Sequence, residues 1–294
     1  MPKATALKQY VTAANKLLST YGKSFHWARY FLGKETGLQA TQLYAFCRYL
    51  DDIADQPGNL GAKKLKSIQN IFNNYSYQTG SYPEVDNFLL LRQELDLPVF
   101  AVKDLLEGLI SDQETVLLLN ENQLIQYSYK VAGTVGLMMA PILGISSKKA
   151  IPFAVDLGIA MQLTNISRDV LEDSKNNRFY IEKNFEKISS TVNLANRYYQ
   201  DSFYAIKSIP ISFRFSILVA RRVYRKIGYK ILKKKNLENY QRSGKIYVSN
   251  IEKVLETFLS IFDLISLYLI NKNEDQIQHN HILINEEINL NERI

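Results

Sequence analysis

Two short stretches place carboxylates one helical turn apart, each directly after an arginine: Arg48 to Asp55 reads RYLDDIAD, and Arg168 to Asp173 reads RDVLED. On a helix, positions four apart share a face, so Asp51 stacks over Asp55 and Asp169 over Asp173, with Asp52 at the edge of the first pair. Unpaired like charges at this spacing repel by roughly 0.2–0.5 kcal/mol. Asp55 also stands just before the helix stop at QPG, where the macrodipole disfavours negative charge. Something cationic should compensate. One such pair is most simply a solvated face, but here there are two. Each is flanked by apolar residues, Leu50, Ile53 and Ala54 in the first and Val170 and Leu171 in the second, which anchor the helices in a core. Hard oxygen ligands on rigid helices suit Mg²⁺, which keeps several waters and is shared between one or two carboxylates and substrate phosphates. The expectation is a pair of facing acidic turns that hold a diphosphate through Mg²⁺, with Mn²⁺ as the alternative ion.

A diphosphate so held is a good leaving group, because the cations neutralise the charge that develops as its carbon–oxygen bond breaks. An allylic carbocation is left behind. Arg48 and Arg168 can offer forked donors to phosphate oxygens, or pair with the neighbouring aspartates, and both roles can coexist. The cation needs a dry cavity with electron-rich walls, for which Phe25, Tyr44 and Tyr127 are candidates, although most aromatics here belong to the core.

The elements that must position these groups are helices. Apolar residues recur at three and four spacing through most of the chain, with only 7 prolines and 13 glycines among 294 residues. The pattern predicts helices over 4–20, 24–32, 36–55, 61–79, 85–95, 98–118, 121–143, 148–174, 190–207, 211–235 and 249–271, and no strands. The breaks at QPGNLG, QTGSYP, DLP, SIP and RSGK are too short to link separate folding units. The reading is an all-α chain with one domain over 1–275. The polar, Asn-rich stretch 276–294 is expected to be frayed or loosely docked.

Composition narrows the class. Apolar residues make up 46% of the chain, enough for a large core, and the formal charge of +7 favours phosphates or an anionic membrane surface. The single cysteine, Cys47, leaves no internal disulfide and no Cys-rich metal site, so a reducing cytoplasm is the expected compartment. The opening MPKATALKQYVTAANKLL shows no secretory pattern. The apolar runs Val131 to Ile145 and Phe258 to Ile270 fall short of the roughly 20 residues a spanning helix needs.

Beyond the acidic turns, the segments KSFHWARYFL, LYAFCRYLDDIAD, YSYKVAGTVGLMMAPILG and DLGIAMQLTNISRDVLEDSKNNRFYI stand in an order and at separations that resemble the squalene and phytoene synthase family of head-to-head prenyl synthases. The later ILVARRVYRKIGYKIL is similar to that family's late helix, so the resemblance covers about residues 20–255. It implies a helical bundle of the isoprenoid synthase type with a central cavity. It further implies metal binding by Asp51, Asp55, Asp169 and Asp173 with Asp52 and Asn165 in support, and diphosphate binding by Arg48 and Arg168. Tyr44 joins these as a catalytic residue. Ser24, Phe25, Tyr127, Val131, Ala132, Gln162, Arg178 and Tyr180 would line the substrate cavity, with Tyr240 a looser match near the diphosphate. Gly133 and Gly136, three apart on one helix, would either let an isoprenoid chain pass close to the backbone or let two helices approach.

The chain departs from the family after the second acidic turn, where glycine-arginine-x-tyrosine-leucine-proline is usual. Here the stretch is NRFYIE, with Asn177 for glycine and Glu182 for proline, which puts the loop that caps the site in question. Ser167 also replaces a common leucine or alanine. VAGTVGLMM and CRYLDDIAD resemble bacterial phytoene synthases more than squalene synthases. The expected reaction therefore joins two geranylgeranyl diphosphates into phytoene and releases inorganic diphosphate, with no NADPH. The modest Thr41, before Tyr44, leaves length for a twenty-carbon chain. A relative using farnesyl diphosphate to make dehydrosqualene, squalene or presqualene diphosphate is the alternative, and a non-catalytic helical assembly protein is the rival from another class.

Arg221 to Lys235 carries eight positive charges and no negative one, with Val223, Ile227 and Ile231 as an apolar stripe. It can be a basic amphipathic helix lying on anionic lipid or a core helix with a solvated basic face. Peripheral membrane association is expected. No nucleic-acid reader motif accompanies the charge, and His279 and His281 lie in the polar tail.

Overall fold

The computed structural model describes residues 2–56, 60–73, 80–113, 116–117, 120–145, 147–269 and 289–293, the side chains of 2–9 and 291 excepted. In chain order these form α1 (Pro2–Tyr21), α2 (Lys23–Arg29), α3 (Lys34–Ala54), α4 (Leu60–Asn73), α5 (Pro83–Leu95), α6 (Val99–Ser111), β1 (Val116–Leu117) and α7 (Glu121–Ser128). A π-helical turn, Tyr129–Gly133, leads into α8 (Thr134–Ile142). Then come α9 (Ile151–Lys175), β2 (Arg178–Phe179), α10 (Phe185–Ala205), α11 (Ile211–Leu232), α12 (Leu237–Arg242), α13 (Asn250–Leu269) and a last turn, α14 (Leu290–Arg293).

Local chemistry sets several of these boundaries. Pro83 opens α5, and Asp96 closes it in a left-handed conformation. Asn120, Asn184 and Asn236 cap α7, α10 and α12, each side-chain oxygen accepting from a backbone N–H three residues on. Ser249 and Glu252 form a reciprocal capping box at the start of α13. Against the cost of its burial, Lys230 and Ser249 hold the Glu252 carboxyl down at about 2.

α9 is the spine, packing on α8, α10, α11 and the π turn. Its buried residues include Ile159, Leu163, Ile166 and Val170, so the second acidic turn grows from a helix held on several sides. α3 is anchored likewise by Leu43, Phe46, Leu50 and Ile53, and Phe46 stacks on Phe88 of α5 with ring centroids 3.8 Å apart.

Several expectations need correction. A helix over 98–118 stops at Ser111 because the chain turns to form β1, which pairs in parallel with β2 through Val116 with Arg178 and Leu117 with Phe179. The chain is therefore not strand-free, although this two-residue ladder is the only one among the described residues. The helix expected over 121–143 is present from Glu121 to Ile142, with a π turn at Tyr129–Gly133 inserted in it. Residues 74–79 of the expected fourth helix lie outside the described residues, as do most of 276–294. The described end of that stretch is docked: Leu290 is fully buried, and both terminal guanidinium nitrogens of Arg293 reach Asp104 at 3.0 Å.

The largest correction concerns α11. Val223, Ile227 and Ile231 are buried in the core, so they form no membrane stripe. Its basic face is covered by α13, through Arg222 to Glu256 and Asp263, Lys226 to Glu256, and Lys230 to Glu252.

Candidate active site

The two acidic turns face one another. Asp51 and Asp55 from α3 and Asp169 and Asp173 from α9 line a single cleft of about 240 Å³. Arg48, Arg168 and Arg178 add positive charge, and Gln162, Asn165, Tyr127, Val131 and Tyr180 complete much of the expected wall.

The arginines are already engaged. Arg48 Nη2 lies 2.5 Å from Asp52, and its guanidinium stacks 4.5 Å from the Tyr21 ring centre. Arg168 forks onto Asp169 through Nε at 2.9 Å and Nη2 at 2.5 Å. Asp52 itself is exposed and outside the cleft lining, and its carboxylate pairs with Arg48.

Burial and like charge raise Asp51 and Asp173. Burial, partly opposed by Arg48 and reinforced by Asp55, Asp52 and Asp112, pushes Asp51 up to about 7. Burial and Asp169 push Asp173 to about 7 against the pull of Arg178.

Asp112 is the residue that sequence reasoning missed. It lies immediately after α6, accepts from Tyr127 Oη at 2.6 Å and Tyr180 Oη at 3.1 Å, and burial raises it to about 6. Asp55 and Asp112 are both C-cap residues in the structure, so each places a carboxylate at the negative end of a helix, a placement hidden in the sequence by the expected run to 118. The cleft gathers two helix C-termini together with their acids. Lys245 was also missed, and it reaches Glu172 at 2.7 Å and Asp169 at 3.6 Å.

The loop left in question by Asn177 closes over the site. Asn177 takes φ 57°, a left-handed conformation that asparagine tolerates better than most residues and for which glycine is the usual choice. Its carbonyl accepts from Val116 N at 3.3 Å, which starts the β1–β2 pairing. Arg178 then reaches Asp55 at 2.9 Å, and Tyr180 stacks on Tyr127 with centroids 4.6 Å apart and hydroxyls 2.9 Å apart.

Other expected residues lie elsewhere. Ser24, Phe25 and Tyr44 stand outside the cleft lining; Phe25 packs 4.9 Å from Tyr224 and 6.3 Å from Tyr44. Tyr240 does not face the cleft. Its hydroxyl donates to the Ser167 and Arg168 carbonyls at 2.9 and 2.7 Å, so it clamps the backbone of α9. Gly133 and Gly136 are packing residues. A side chain at Gly136 would strike the Ala154 carbonyl of α9, and one at Gly133 would sit 3.0 Å from Val155. Gly158 of α9 meets the Ala132 carbonyl in the same way, so Ala132 belongs to this seam too.

The residues present fit divalent cations. Asp112 Oδ1, Asn165 Oδ1 and Arg48 Nε are buried without a hydrogen-bond partner. Two hard oxygens of cleft-lining residues are thus left without a partner. Among the described residues no three His, Cys, Asp or Glu groups converge on one point. Each ion would therefore take one or two carboxylates and rely on substrate phosphate and water for the rest, as Mg²⁺ commonly does.

An all-α fold built around a cleft of opposed carboxylates and arginines has the charge layout of an enzyme site. Residues 18–184 match the family model described as squalene/phytoene synthase. The chain is 28% identical over 255 residues to a 15-cis-phytoene synthase of Paracoccus sp., covering 77% of this chain and 84% of that one. It is 37% identical over 167 residues to a phytoene synthase of Thermus thermophilus, covering 56% of this chain and 57% of that one. The solved structure of a dehydrosqualene synthase in complex with ligand aligns with a TM-score of 0.75 at 25% identity, covering 89% of this chain and 99% of that one. The chain belongs to the squalene/phytoene synthase family, whose members are prenyltransferases.

Proposed function

We propose that the chain is a phytoene synthase that condenses two geranylgeranyl diphosphates head to head, through a cyclopropylcarbinyl diphosphate, to phytoene and inorganic diphosphate. The observation that carries this reading is the meeting of Asp51 and Asp55 with Asp169 and Asp173 across one cleft that also holds three arginines. Mg²⁺ held by these aspartates, with Asn165 beside them, would supply the charge that makes diphosphate a leaving group.

The chain's own residues do the rest. Arg48, Arg168 and Arg178 orient the phosphate oxygens. Leu109, Val131 and Ile166 give the cleft an apolar wall on which a carbocation is kept from water. The Asp112, Tyr127 and Tyr180 cluster lies at that wall, and Asp112, raised to about 6, is placed to accept a proton. Phytoene formation ends by proton loss, so no reductant is needed. The twenty-carbon substrate is favoured by the motif likeness to phytoene synthases, and the fold likeness to a dehydrosqualene synthase favours fifteen carbons as the second reading.

Purified protein given fifteen- and twenty-carbon diphosphates, with and without Mg²⁺ and NADPH, tests this by product chromatography. Phytoene from the twenty-carbon substrate, dependent on Mg²⁺ and indifferent to NADPH, is expected. A thirty-carbon product formed in preference would move the assignment to the second reading, and no product with either substrate would refute both.

A further inference from the structure

α13 is turned inside out. All four of its charged residues face the protein: Glu252, Glu256 and Asp263 pair with α11, and Lys253 is buried with its ammonium 6.0 Å from the Trp27 ring centre. Its outer face carries no charge. Ile251, Val254, Leu255, Phe258, Ile261, Phe262, Ile265, Tyr268 and Leu269 recur at three and four spacing and are each 44–83% exposed, and Tyr247 extends the row at 72%. Side chains of this size leave on the order of 1,000 Å² of apolar surface, well beyond the largest patch of an ordinary monomer. The α11 basic face explains the inversion, because its arginines and lysines draw the acids of α13 inward and turn the apolar side out.

We propose that this outer face of α13 seats the enzyme on a lipid bilayer bearing anionic lipid. Charge decides the occupant. Lys230 pairs with Glu252 near the start of α13, so the end of α11 brings Lys233, Lys234 and Lys235 alongside it. Those three lysines make no ion pair among the described residues. A second copy would bring the same lysines and the same net charge of +7, whereas an anionic surface attracts both. No helix is long and apolar enough among the described residues to cross a membrane, so α13 lies along the headgroup boundary. Trp27 Nε1 donates to Thr257 of α13 at 2.9 Å, and Trp27 shares α2 with Ser24 and Phe25. The lipid-seated helix therefore touches the element expected to meet the substrate chain. That last link rests on the proposed reaction; the docking surface does not.

Flotation with phosphatidylglycerol/phosphatidylcholine vesicles and with phosphatidylcholine vesicles tests the proposal, alongside sedimentation velocity without lipid. Wild type should float with the anionic vesicles. The paired substitution Phe258→Ser and Phe262→Ser, on exposed positions, should leave melting unchanged and weaken partition by about ten-fold or more. Wild type that stays in solution, a variant that floats like wild type, or a wild-type dimer that the variant splits would each overturn it. Synthase activity measured in detergent reads the proposed reaction separately, since no bilayer is then required.

Discussion

Arg178 Nη1 donates to Asp55 Oδ1 at 2.9 Å, joining positions 123 residues apart and closing the loop after α9 onto the C-terminus of α3. The same guanidinium lies 3.5 Å from the Ala54 carbonyl, so it caps a helix end while lining the cleft. Replacing it removes a cation aimed where negative charge gathers, and such groups contribute about 10²- to 10³-fold in rate. Arg178→Gln should lower kcat by that order with a melting temperature near wild type. Steady-state kinetics that show only a raised KM would contradict the role.

Asp51 and Asp173 rise to about 7 from an ordinary 3.8 in the metal-free protein. A carboxyl raised by folding contributes stability that is complete below its unfolded value and is lost as pH climbs through its folded value. The metal-free chain should therefore weaken between about pH 4 and 7, as these groups ionise against one another. Mg²⁺, which binds the ionised form, should raise the melting temperature most near pH 8 and hardly at all near pH 5. Scanning calorimetry at the two pH values decides it, and an equal shift at both would refute metal binding at these groups.

It follows that Asp51→Asn should uncouple stability from activity. The amide carries no charge to bury, so the metal-free variant should melt above wild type at pH 8 and match it at pH 4. Turnover should fall by about 10³-fold, because a hard anionic ligand has been lost. A variant that melts lower than wild type at pH 8 would contradict the assigned electrostatics.

Asn177 holds a left-handed conformation that costs an ordinary L-residue roughly 1–2 kcal/mol. Asn177→Gly should be nearly silent, whereas Asn177→Val should destabilise by about that amount and reduce turnover by displacing Arg178 and Tyr180. Chemical denaturation and kinetics on the two variants give the comparison, and equal behaviour would dismiss the backbone argument.

Much of this site was legible from one idea: carboxylates four apart on apolar helices must be answered by cations. That idea found Asp51, Asp55, Asp169 and Asp173, and the resemblance to prenyl synthases supplied Gln162, Asn165 and Arg178, all of which line one cleft. Asp112 escaped because it stands alone in sequence, and only folding brings it to Tyr127 and Tyr180. The helices were legible from their period. The β1–β2 ladder was not, since two residues cannot show alternation. α11 misled because charge and an apolar stripe look alike in a core helix and in a surface helix. What separates them is the neighbour, and α13 leaves its mark in the opposite half of the pattern.

The seam that α9 makes with α8 and the π turn before it sets a limit on how this enzyme can change. At Gly136 and Gly158 backbone rests on backbone, so no single substitution there can deepen or shorten the chamber without prising two helices apart. Room to reshape the cleft is left instead at Ala54, Leu109, Val131 and Ile166, whose side chains line it. The cleft is thus open to revision at those four side chains and closed to it at the glycine seam.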